Sequence, residues 1–217
     1  DKLLGIISHD LRNPIKEFRL LTNDILKNSR ESESLSDDLL FLKNSATNVE
    51  KLLNSLLDYA DSSLKGRIHM KSKIYLRDLL SSIQELFQRE LKDKRIKIEY
   101  KLELDYIYAD KDTLRLCLRN LLHNSIKFSY EDSIIRISSI KEDDFTILKI
   151  QDYGIGMDKE DITKVEQYLR PKVKEPISAE KGNGFGLLLS KELIEQSGGE
   201  LYIESELSKG TTITLYL

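Results

Sequence analysis

The hydrophobic pattern of this 217-residue chain changes near residue 62, and that change limits the folds open to it. Before residue 62, apolar residues recur at steps of three and four, as on one face of a helix. After it, short alternating segments typical of strands are interleaved with further helical segments. The pattern predicts an α + α/β chain, with a helical part over residues 1–62, a linker over 63–72 and a second domain over 73–217.

The helical part divides into two helices around a polar break. The first spans about residues 2–29, the break lies at Arg30–Ser36, and Ser36 followed by two aspartates is a good helix start. The second helix carries an apolar heptad seam at Leu39, Leu42, Ala46, Val49, Leu53, Leu56 and Ala60. Two such helices predict an antiparallel hairpin, and two copies would form a four-helix bundle, so we expect a homodimer. The alternative is that the seam packs on the chain's own second domain.

The first helix carries His9 away from its apolar stripe, toward solvent. Asn13 shares the face of His9 four residues later, and Pro14 removes an amide hydrogen and bends the helix. A neutral imidazole is a nucleophile, and the adjacent Asp10 can hold one ring nitrogen protonated while the other attacks. Taken alone, such a histidine is more often an ordinary surface residue.

The second domain is expected to alternate strands and helices. The predicted strands are Ile74–Leu76, Ile96–Leu104, Tyr106–Ala109, Ser133–Ile140, Phe145–Asp152, Leu201–Glu204 and Thr211–Leu217. The predicted helices are Arg77–Lys92, Asp112–Phe128, Phe185–Gln196 and, within a longer loop, about Glu160–Tyr168.

Asn120, Asn124 and Lys127 fall on one face of the helix at 112–128, next to its apolar stripe. Amide oxygens suit Mg²⁺, and an ammonium supplies a charge to phosphate, so the pattern is compatible with a metal–phosphate site. Three polar residues on a helix face more often have no such role.

The strand at 145–152 places Asp152 on the same face as apolar residues, where a carboxylate needs a hydrogen-bond donor. An adenine amino group would serve, and Gly154 and Gly156 give the backbone freedom for close approach of a flat ring. The alternative is that Asp152 ends a strand and the glycines make a turn.

Residues 157–181 form a loop long enough to be a lid, with Arg170 as a candidate phosphate contact. Gly182, Gly184 and Gly186 follow and open a helix, whose N-terminus favours anions. The spacing fits neither the P-loop nor the dinucleotide fingerprint.

Composition excludes several classes of function. The net charge of −3 leaves no basic surface for nucleic acid, and Cys117 is a lone cysteine in an apolar helical pattern, which suits core packing and a reducing compartment. No apolar run approaches the roughly 18 residues of a membrane span. Because the chain opens inside a helical pattern, we expect a cytoplasmic part of a larger protein, attached to a membrane only through segments outside this sequence.

Taken together and in this order, these motifs resemble the sequence boxes of bacterial sensor histidine kinases. The segment His9–Pro14 is similar to the phosphoacceptor box, and Asn120, Asn124 and Lys127 are similar to the asparagine box. The remaining glycine-rich segments are similar to two glycine boxes and a glycine–threonine box, at Asp152–Gly156, Gly182–Gly186 and Gly210–Thr212.

The resemblance implies a homodimeric four-helix bundle carrying a GHKL-type α/β sandwich of the kind found in gyrase and HSP90. It implies ATP and Mg²⁺ as cofactors and a response regulator receiver domain as partner. By resemblance, Asn124 is the main Mg²⁺ ligand with Asn120 assisting, and Asp152 binds the adenine amino group. The implied nucleotide-binding residues are Asn120, Asn124, Lys127, Phe128, Asp152, Gly154, Gly156, Arg170, Gly182, Gly184, Gly186 and Thr211.

The resemblance also implies that His9 accepts the γ-phosphoryl group of ATP and passes it to an aspartate of the regulator. Asp10 would be its base-like partner, and Asn13 would place a water that dephosphorylates the regulator. The segment Val165–Pro171 lacks the phenylalanine-rich box found in the lid of many relatives. Two other functions stay open, a regulator-binding or phosphatase module with little kinase activity and a gyrase- or HSP90-like ATPase.

Overall fold

The computed structural model describes residues 71–169 and 185–217, together with Thr22, Leu39, Leu42, Lys43, Ala46 and Val49. The chain divides into two compact units, and every strand of the described residues belongs to the second, Lys65–Ile177 with Gly186–Leu217. The predicted hairpin loop, the linker up to residue 70 and the residues His9, Asp10, Asn13, Arg170, Gly182 and Gly184 lie outside the described part of the chain.

The second unit alternates strands and helices along the chain. The strands are β1 (Ser72–Tyr75), β2 (Lys97–Leu102), β3 (Tyr106–Ala109), β4 (Ile134–Glu142), β5 (Phe145–Asp152), β6 (Glu200–Glu206) and β7 (Gly210–Tyr216). The helices are α1 (Leu76–Leu86), α2 (Gln88–Asp93), α3 (Lys111–Phe128), α4 (Lys159–Leu169) and α5 (Phe185–Gln196).

The main sheet has five strands in the order β2-β4-β5-β7-β6. The β2–β4 pair is parallel, whereas β4–β5, β5–β7 and β6–β7 are antiparallel. A separate antiparallel pair joins β1 to β3, with Ile74 opposite Ile107 and both side chains buried. This arrangement is the α/β layer that the alternating pattern predicts.

One face of the main sheet carries the core. Leu148 and Ile150 alternate with outward residues along β5 and are buried, and Asp152 continues the same row. Helix α3 packs on β5, and α1 packs on α3. The row of inward residues therefore ends in a carboxylate that lies at the edge of the core.

Several predicted boundaries are corrected. The single helix predicted over 77–92 is broken at Phe87, whose ring stacks on His123 of α3 with centroids 5.6 Å apart. Leu76 begins α1 rather than ending a strand, and Ser72 already pairs with Ala109 in β1. The strand predicted over 96–104 is shorter, and those predicted over 133–140 and 201–204 are longer at their C-terminal ends.

The C-terminal end of α3 is held by a lysine from another element. Lys94, just after α2, donates through Nζ to the carbonyl oxygens of Ile126, Lys127 and Ser129 at 2.9, 2.7 and 3.1 Å. The last carbonyls of a helix have no partner within the helix and carry partial negative charge. Lys94 satisfies two of these groups, those of Ile126 and Lys127, together with the carbonyl of the cap residue Ser129, so it stabilises the end of α3.

In the first unit, the described positions of the predicted seam separate into two columns. Leu42 is buried and Val49 is half-buried, whereas Leu39 is 54% exposed and Ala46 is exposed. Columns seven residues apart share one side of a helix. One column of the seam is therefore covered within the chain and the other is open.

We expect Lys94→Met to lower the free energy of unfolding by about 2 kcal/mol, because three carbonyl oxygens lose a charged donor. Urea unfolding followed by circular dichroism measures this change. Lys92→Met is the matched control, because Lys92 is exposed and no side-chain contact of it is found in the described part of the chain. Equal stability of the two variants would contradict the role given to Lys94.

Candidate functional site

Helix α3 displays the predicted polar stripe because its other side is committed to the core. Asp110 accepts a hydrogen bond from the amide of Thr113 at 2.9 Å and caps the start of the helix. The inward side chains are buried at Leu114, Cys117, Leu118, Leu121, Leu122 and Ser125. On the neighbouring face, Asn120 and Asn124 are half-buried and Lys127 is exposed, with its Nζ 4.9 Å from the centre of the Phe128 ring.

Cys117 connects α3 to α5 as a packing residue. Its Sγ lies 3.6 Å from the carbonyl oxygen of Ser190, and burial raises the pKa of the thiol to about 12. The thiol therefore keeps its proton and donates it to that carbonyl. The core position predicted from the sequence is confirmed.

The first turn of α5 comes close to the asparagine stripe. A Cβ added at Gly186 would lie 3.7 Å from Cγ of Asn120, which is ordinary van der Waals contact. The Nδ2 atom of Asn120 is buried and has no hydrogen-bond partner among the residues described. A buried amide without a partner costs free energy, so this position suits a further polar group supplied from outside the chain.

The residues of the stripe fit Mg²⁺ only if other ligands complete its coordination. The carboxamides of Asn120 and Asn124 offer hard oxygen atoms one helical turn apart, the type of ligand that Mg²⁺ prefers. The described segments contain no group of three His, Cys, Asp or Glu side chains that could hold a metal ion. The donor set therefore suits an ion that retains water and phosphate oxygens as its remaining ligands.

Asp152, at the end of β5, is 5% exposed and accepts two backbone hydrogen bonds with the same oxygen. The amides of Gly154 and Thr211 both donate to Oδ1 at 3.1 Å. No other hydrogen bond to Asp152 is found among the described residues, so Oδ2 remains available to a donor from outside the chain. Burial raises the pKa of Asp152, and the two amide hydrogen bonds oppose that rise.

Three glycines around Asp152 allow backbone segments to approach more closely than any side chain permits. A Cβ on Gly154 would lie 2.0 Å from the carbonyl oxygen of Phe128, and one on Gly210 would lie 2.1 Å from that of Asp152. A Cβ on Gly156 would lie 2.0 Å from the carbonyl oxygen of Glu206. The sequence predicted the need for glycine at 154 and 156 but not this reason, which is backbone contact across three elements.

These contacts bring the predicted residues of the second domain into two neighbouring groups. The amide of Ile155 donates to the carbonyl oxygen of Phe128 at 3.0 Å, which ties the turn after β5 to the end of α3. One group is Asp152, Gly154, Gly156 and Thr211, and the other is Asn120, Asn124, Lys127, Phe128 and Gly186. Helix α3 carries every member of the second group except Gly186, which belongs to α5, and through Phe128 it meets the first group.

Sequence reasoning missed Ser205 of β6. Its Oγ lies 2.9 Å from the amide nitrogen of Met157, 3.0 Å from the carbonyl oxygen of Gly210 and 2.9 Å from Oγ1 of Thr211. The polar residues around Ser205 are typical of an exposed strand and do not indicate such contacts. The contacts depend on which strand lies beside β6. The sheet order, which follows from tertiary structure, is what places Ser205 next to the site.

Comparison with known proteins identifies the family to which this fold and this site belong. The profile of the family described as histidine kinase-, DNA gyrase B- and HSP90-like ATPases matches residues 109–217, which is half of the chain. The chain belongs to this family, and the family's activity supports ATP as the ligand of the second domain.

Over nearly its whole length, the chain is similar to sensor histidine kinases of two-component signalling. It is 26% identical over 218 residues to the sensor histidine kinase WalK of Bacillus subtilis, covering 97% of this chain and 35% of WalK. It is 27% identical over 224 residues to the autoinducer 2 sensor kinase/phosphatase LuxQ of Vibrio vulnificus, covering 98% of this chain and 26% of LuxQ. The chain thus spans about a quarter to a third of the length of these curated relatives.

Solved structures share the fold. The histidine kinase AdeS of Acinetobacter baumannii matches with a TM-score of 0.71 and 19% identity, covering 96% of both chains. Histidine kinase ThkA in complex with response regulator protein TrrA matches with a TM-score of 0.70 and 21% identity, over 97% of this chain and 59% of that one. Full-length ShkA in complex with AMPPNP matches with a TM-score of 0.62 and 22% identity, over 96% of this chain and 44% of that one. Among the residues described, no helix is long and apolar enough to cross a membrane.

We expect Gly154→Ala to destabilise the second domain by about 1–3 kcal/mol, because the new Cβ forces the turn away from α3, and to weaken nucleotide binding. Gly198→Ala is the matched control. Gly198 has a φ of +82° but nothing within 4 Å of a Cβ, so this variant should lose about 1 kcal/mol from strain alone. Titration with ATP and urea unfolding measure both effects. Unchanged ATP affinity in Gly154→Ala would contradict the idea that the contact between Gly154 and Phe128 shapes the nucleotide site.

We expect Asp152→Asn to stabilise the nucleotide-free chain at neutral pH. The pKa of Asp152 is raised in the folded state, so the folded chain binds its proton more tightly than the unfolded chain, in which an Asp titrates near about 3.9. The protonated carboxyl group stabilises the folded chain below about pH 3.9, and this contribution is lost as the pH rises through the raised pKa. An asparagine carries no charge at any pH and so shows no such loss. Urea unfolding of both chains between about pH 3.5 and 7.5 should show a difference that grows with pH; a constant or shrinking difference would refute the raised pKa.

Proposed function

We propose that this chain is the catalytic portion of a two-component sensor histidine kinase, which binds ATP, phosphorylates His9 and passes the phosphoryl group to an aspartate of a response regulator. The observation that carries the proposal is the carboxylate of Asp152, of which only Oδ1 is hydrogen-bonded within the described part of the chain. This carboxylate lies next to the end of α3, the helix that carries Asn120 and Asn124. The similarity to sensor histidine kinases along 97–98% of the chain extends it to the segment that contains His9.

Asp152 is the residue we assign to the adenine base. Its Oδ1 is occupied by two backbone amides, and its Oδ2 is free to accept the exocyclic amino group. A carboxylate oxygen that is not used within the chain can accept the adenine amino group without giving up a contact of the fold. The glycine contacts at 154, 156 and 210 hold the backbone segments around Asp152 in place.

The α3 stripe is the part we assign to the phosphates. Asn124, assisted by Asn120, would hold Mg²⁺ through amide oxygens, and Lys127 would place its charge near phosphate. When bound, Mg²⁺ neutralises charge that develops during phosphoryl transfer. The buried Nδ2 of Asn120, which has no hydrogen-bond partner among the residues described, is assigned as a donor to an oxygen of the same ligand. We assign Gly186, Arg170, Gly182 and Gly184 to the lid side of this ligand from the sequence pattern.

His9 is the residue we assign to phosphoryl transfer. Its unprotonated ring nitrogen attacks the γ-phosphorus of ATP, the new N–P bond forms as the bond to the bridging oxygen breaks, and ADP departs with that electron pair. Asp10 holds the proton on the other ring nitrogen. The phosphoryl group then moves to a receiver aspartate, and Asn13 is assigned to the water of the reverse, dephosphorylating reaction.

The partners belong to the same proposal. A response regulator is favoured by the ThkA complex with TrrA, a protein of the same fold. A homodimer is favoured by the open column of the seam, Leu39 and Ala46, which a second copy would cover. We assign residues 1–62 to dimerisation and phosphotransfer, 63–72 to the linker and 73–217 to catalysis, with a cytoplasmic location.

Incubation of the chain with Mg²⁺ and γ-phosphate-labelled ATP tests this function. We expect an acid-labile, base-stable label on the protein, none on His9→Gln, and normal labelling of the control His69→Gln, a histidine of the predicted linker. Asn124→Ala should label about 10- to 100-fold more slowly, because a metal ligand is lost.

The alternatives give different results in the same experiment. Phosphate release without retained label would indicate an ATPase of the gyrase or HSP90 kind. ATP binding with no label would indicate a regulator-binding or phosphatase module, an activity that the name of LuxQ also includes. Label on His9→Gln equal to that of the unaltered chain would exclude His9 as acceptor.

A further inference from the structure

Ser205 lies directly beside the base site, on the same face of the sheet. Ser205 and Thr211 are opposite each other in the β6–β7 pair, and Gln151 is opposite Thr212 in the β5–β7 pair. Because side chains alternate along strands, Ser205, Thr211 and Asp152 all point to the face covered by helices. The three side chains therefore form a row across β6, β7 and β5.

The hydrogen bonds of Ser205 have one consistent assignment. The amide of Met157 can only donate to its Oγ, at 2.9 Å, and the carbonyl of Gly210 can only accept from it, at 3.0 Å. A hydroxyl has one hydrogen and two lone pairs. The hydrogen of Ser205 goes to Gly210, so in the 2.9 Å contact with Thr211 the donor is Thr211. All three hydrogen-bonding positions of Ser205 are then filled.

This assignment determines what Thr211 offers to a ligand. Its amide is committed to Oδ1 of Asp152 at 3.1 Å, and its hydroxyl hydrogen is committed to Ser205. The two lone pairs of Oγ1 remain, and they can only accept. The ionised carboxylate of Asp152 also only accepts, so the two neighbouring side chains present acceptors and no donor.

Acceptors of this kind distinguish purines by the group at position 6. Where they face position 6, an amino group donates to them, whereas an oxo group places its own lone pairs against theirs and the N1–H donor of a 6-oxo purine points to the neighbouring ring position. A site that hydrogen-bonds one group discriminates strongly against an analogue that cannot make the bond, since buried polar groups are then left unpaired.

We propose that Ser205 is a positioning residue for base selectivity, which holds the hydroxyl hydrogen of Thr211 away from the ligand and so makes the pocket accept 6-amino purines and reject 6-oxo purines. The inference rests on the proposed function, because it takes Asp152 and Thr211 to face the base. Ser205 acts through Thr211 and needs no contact with the nucleotide.

The test compares the affinities of the full chain for ATP and for inosine triphosphate, its 6-oxo counterpart, by calorimetric titration. In Ser205→Ala the Thr211 hydroxyl is free to rotate and donate to the oxo group, so we expect the ratio of the two affinities to fall by about tenfold. Loss of the hydrogen bond from Met157 would weaken the binding of both nucleotides equally and leave the ratio of their affinities unchanged. This ratio therefore separates a change in selectivity from a structural effect. Ser205→Thr keeps a hydroxyl and should retain the ratio.

Two further variants make the experiment decisive. Ser138→Ala, on the opposite face of β4, is the matched control and should retain the ratio. Thr211→Val removes the hydroxyl and should lower the ratio by itself, and adding Ser205→Ala to it should cause no further change. If Ser205→Ala does not fold, an unchanged ratio in Thr211→Val overturns the inference, and a lowered ratio supports the acceptor role of Thr211 on which the inference depends.

The outcomes separate the two proposals. Suppose that the unaltered chain prefers ATP to inosine triphosphate. If the same affinity ratio is then found in Ser205→Ala, or in Thr211→Val, the role of Ser205 is overturned and the adenine site is left intact. An unaltered chain that binds both nucleotides equally, or neither, contradicts the assignment of Asp152 to the base, and with it this inference.

Discussion

The candidate site depends on backbone segments that approach each other at three glycines. At positions 154, 156 and 210, a Cβ would lie about 2 Å from a carbonyl oxygen of another segment. These contacts hold the turn after β5 between the end of α3 and the turn that joins β6 to β7. Without them the amides of Gly154 and Thr211 would not converge on the same oxygen of Asp152.

Burial of Asp152 is the energetic cost of this arrangement. A carboxylate at the edge of an apolar core is disfavoured, as the raised pKa of Asp152 reflects, and two amide hydrogen bonds offset part of that cost. The hydrogen bonds do not cancel the effect of burial, since the pKa of Asp152 stays raised. Proteins often keep such locally unfavourable features where they bind ligands.

The two halves of the proposed activity lie in different parts of the chain. The second domain supplies a nucleotide site of a family that includes ATPases as different as gyrase and HSP90. In the proposed function, transfer to histidine depends on the N-terminal segment with His9, Asp10 and Asn13, which lies outside the described part of the chain. Lys94 matters for the same reason as the glycines, because it holds the end of the helix that carries Asn120, Asn124 and Lys127.

The sequence by itself determined the class of fold and most of the elements of the second domain. Local patterns sufficed: the strand Phe145–Asp152 and the helix Phe185–Gln196 have the predicted ends, since strand alternation and glycine stops are short-range properties. The sequence also determined that Asn120, Asn124 and Lys127 share a helix face, because helical spacing alone requires it.

Tertiary structure decided what depends on which elements are neighbours in space. The break at Phe87 follows from its stacking on His123, thirty-six positions away, and no local pattern contains that contact. Ser205 joins the site because β6 pairs with β7, and Lys94 reaches α3 across more than thirty residues. Hydrogen bonds between distant segments are not encoded in periodicity, so the donors that surround Asp152 and Thr211 became visible only in the folded chain.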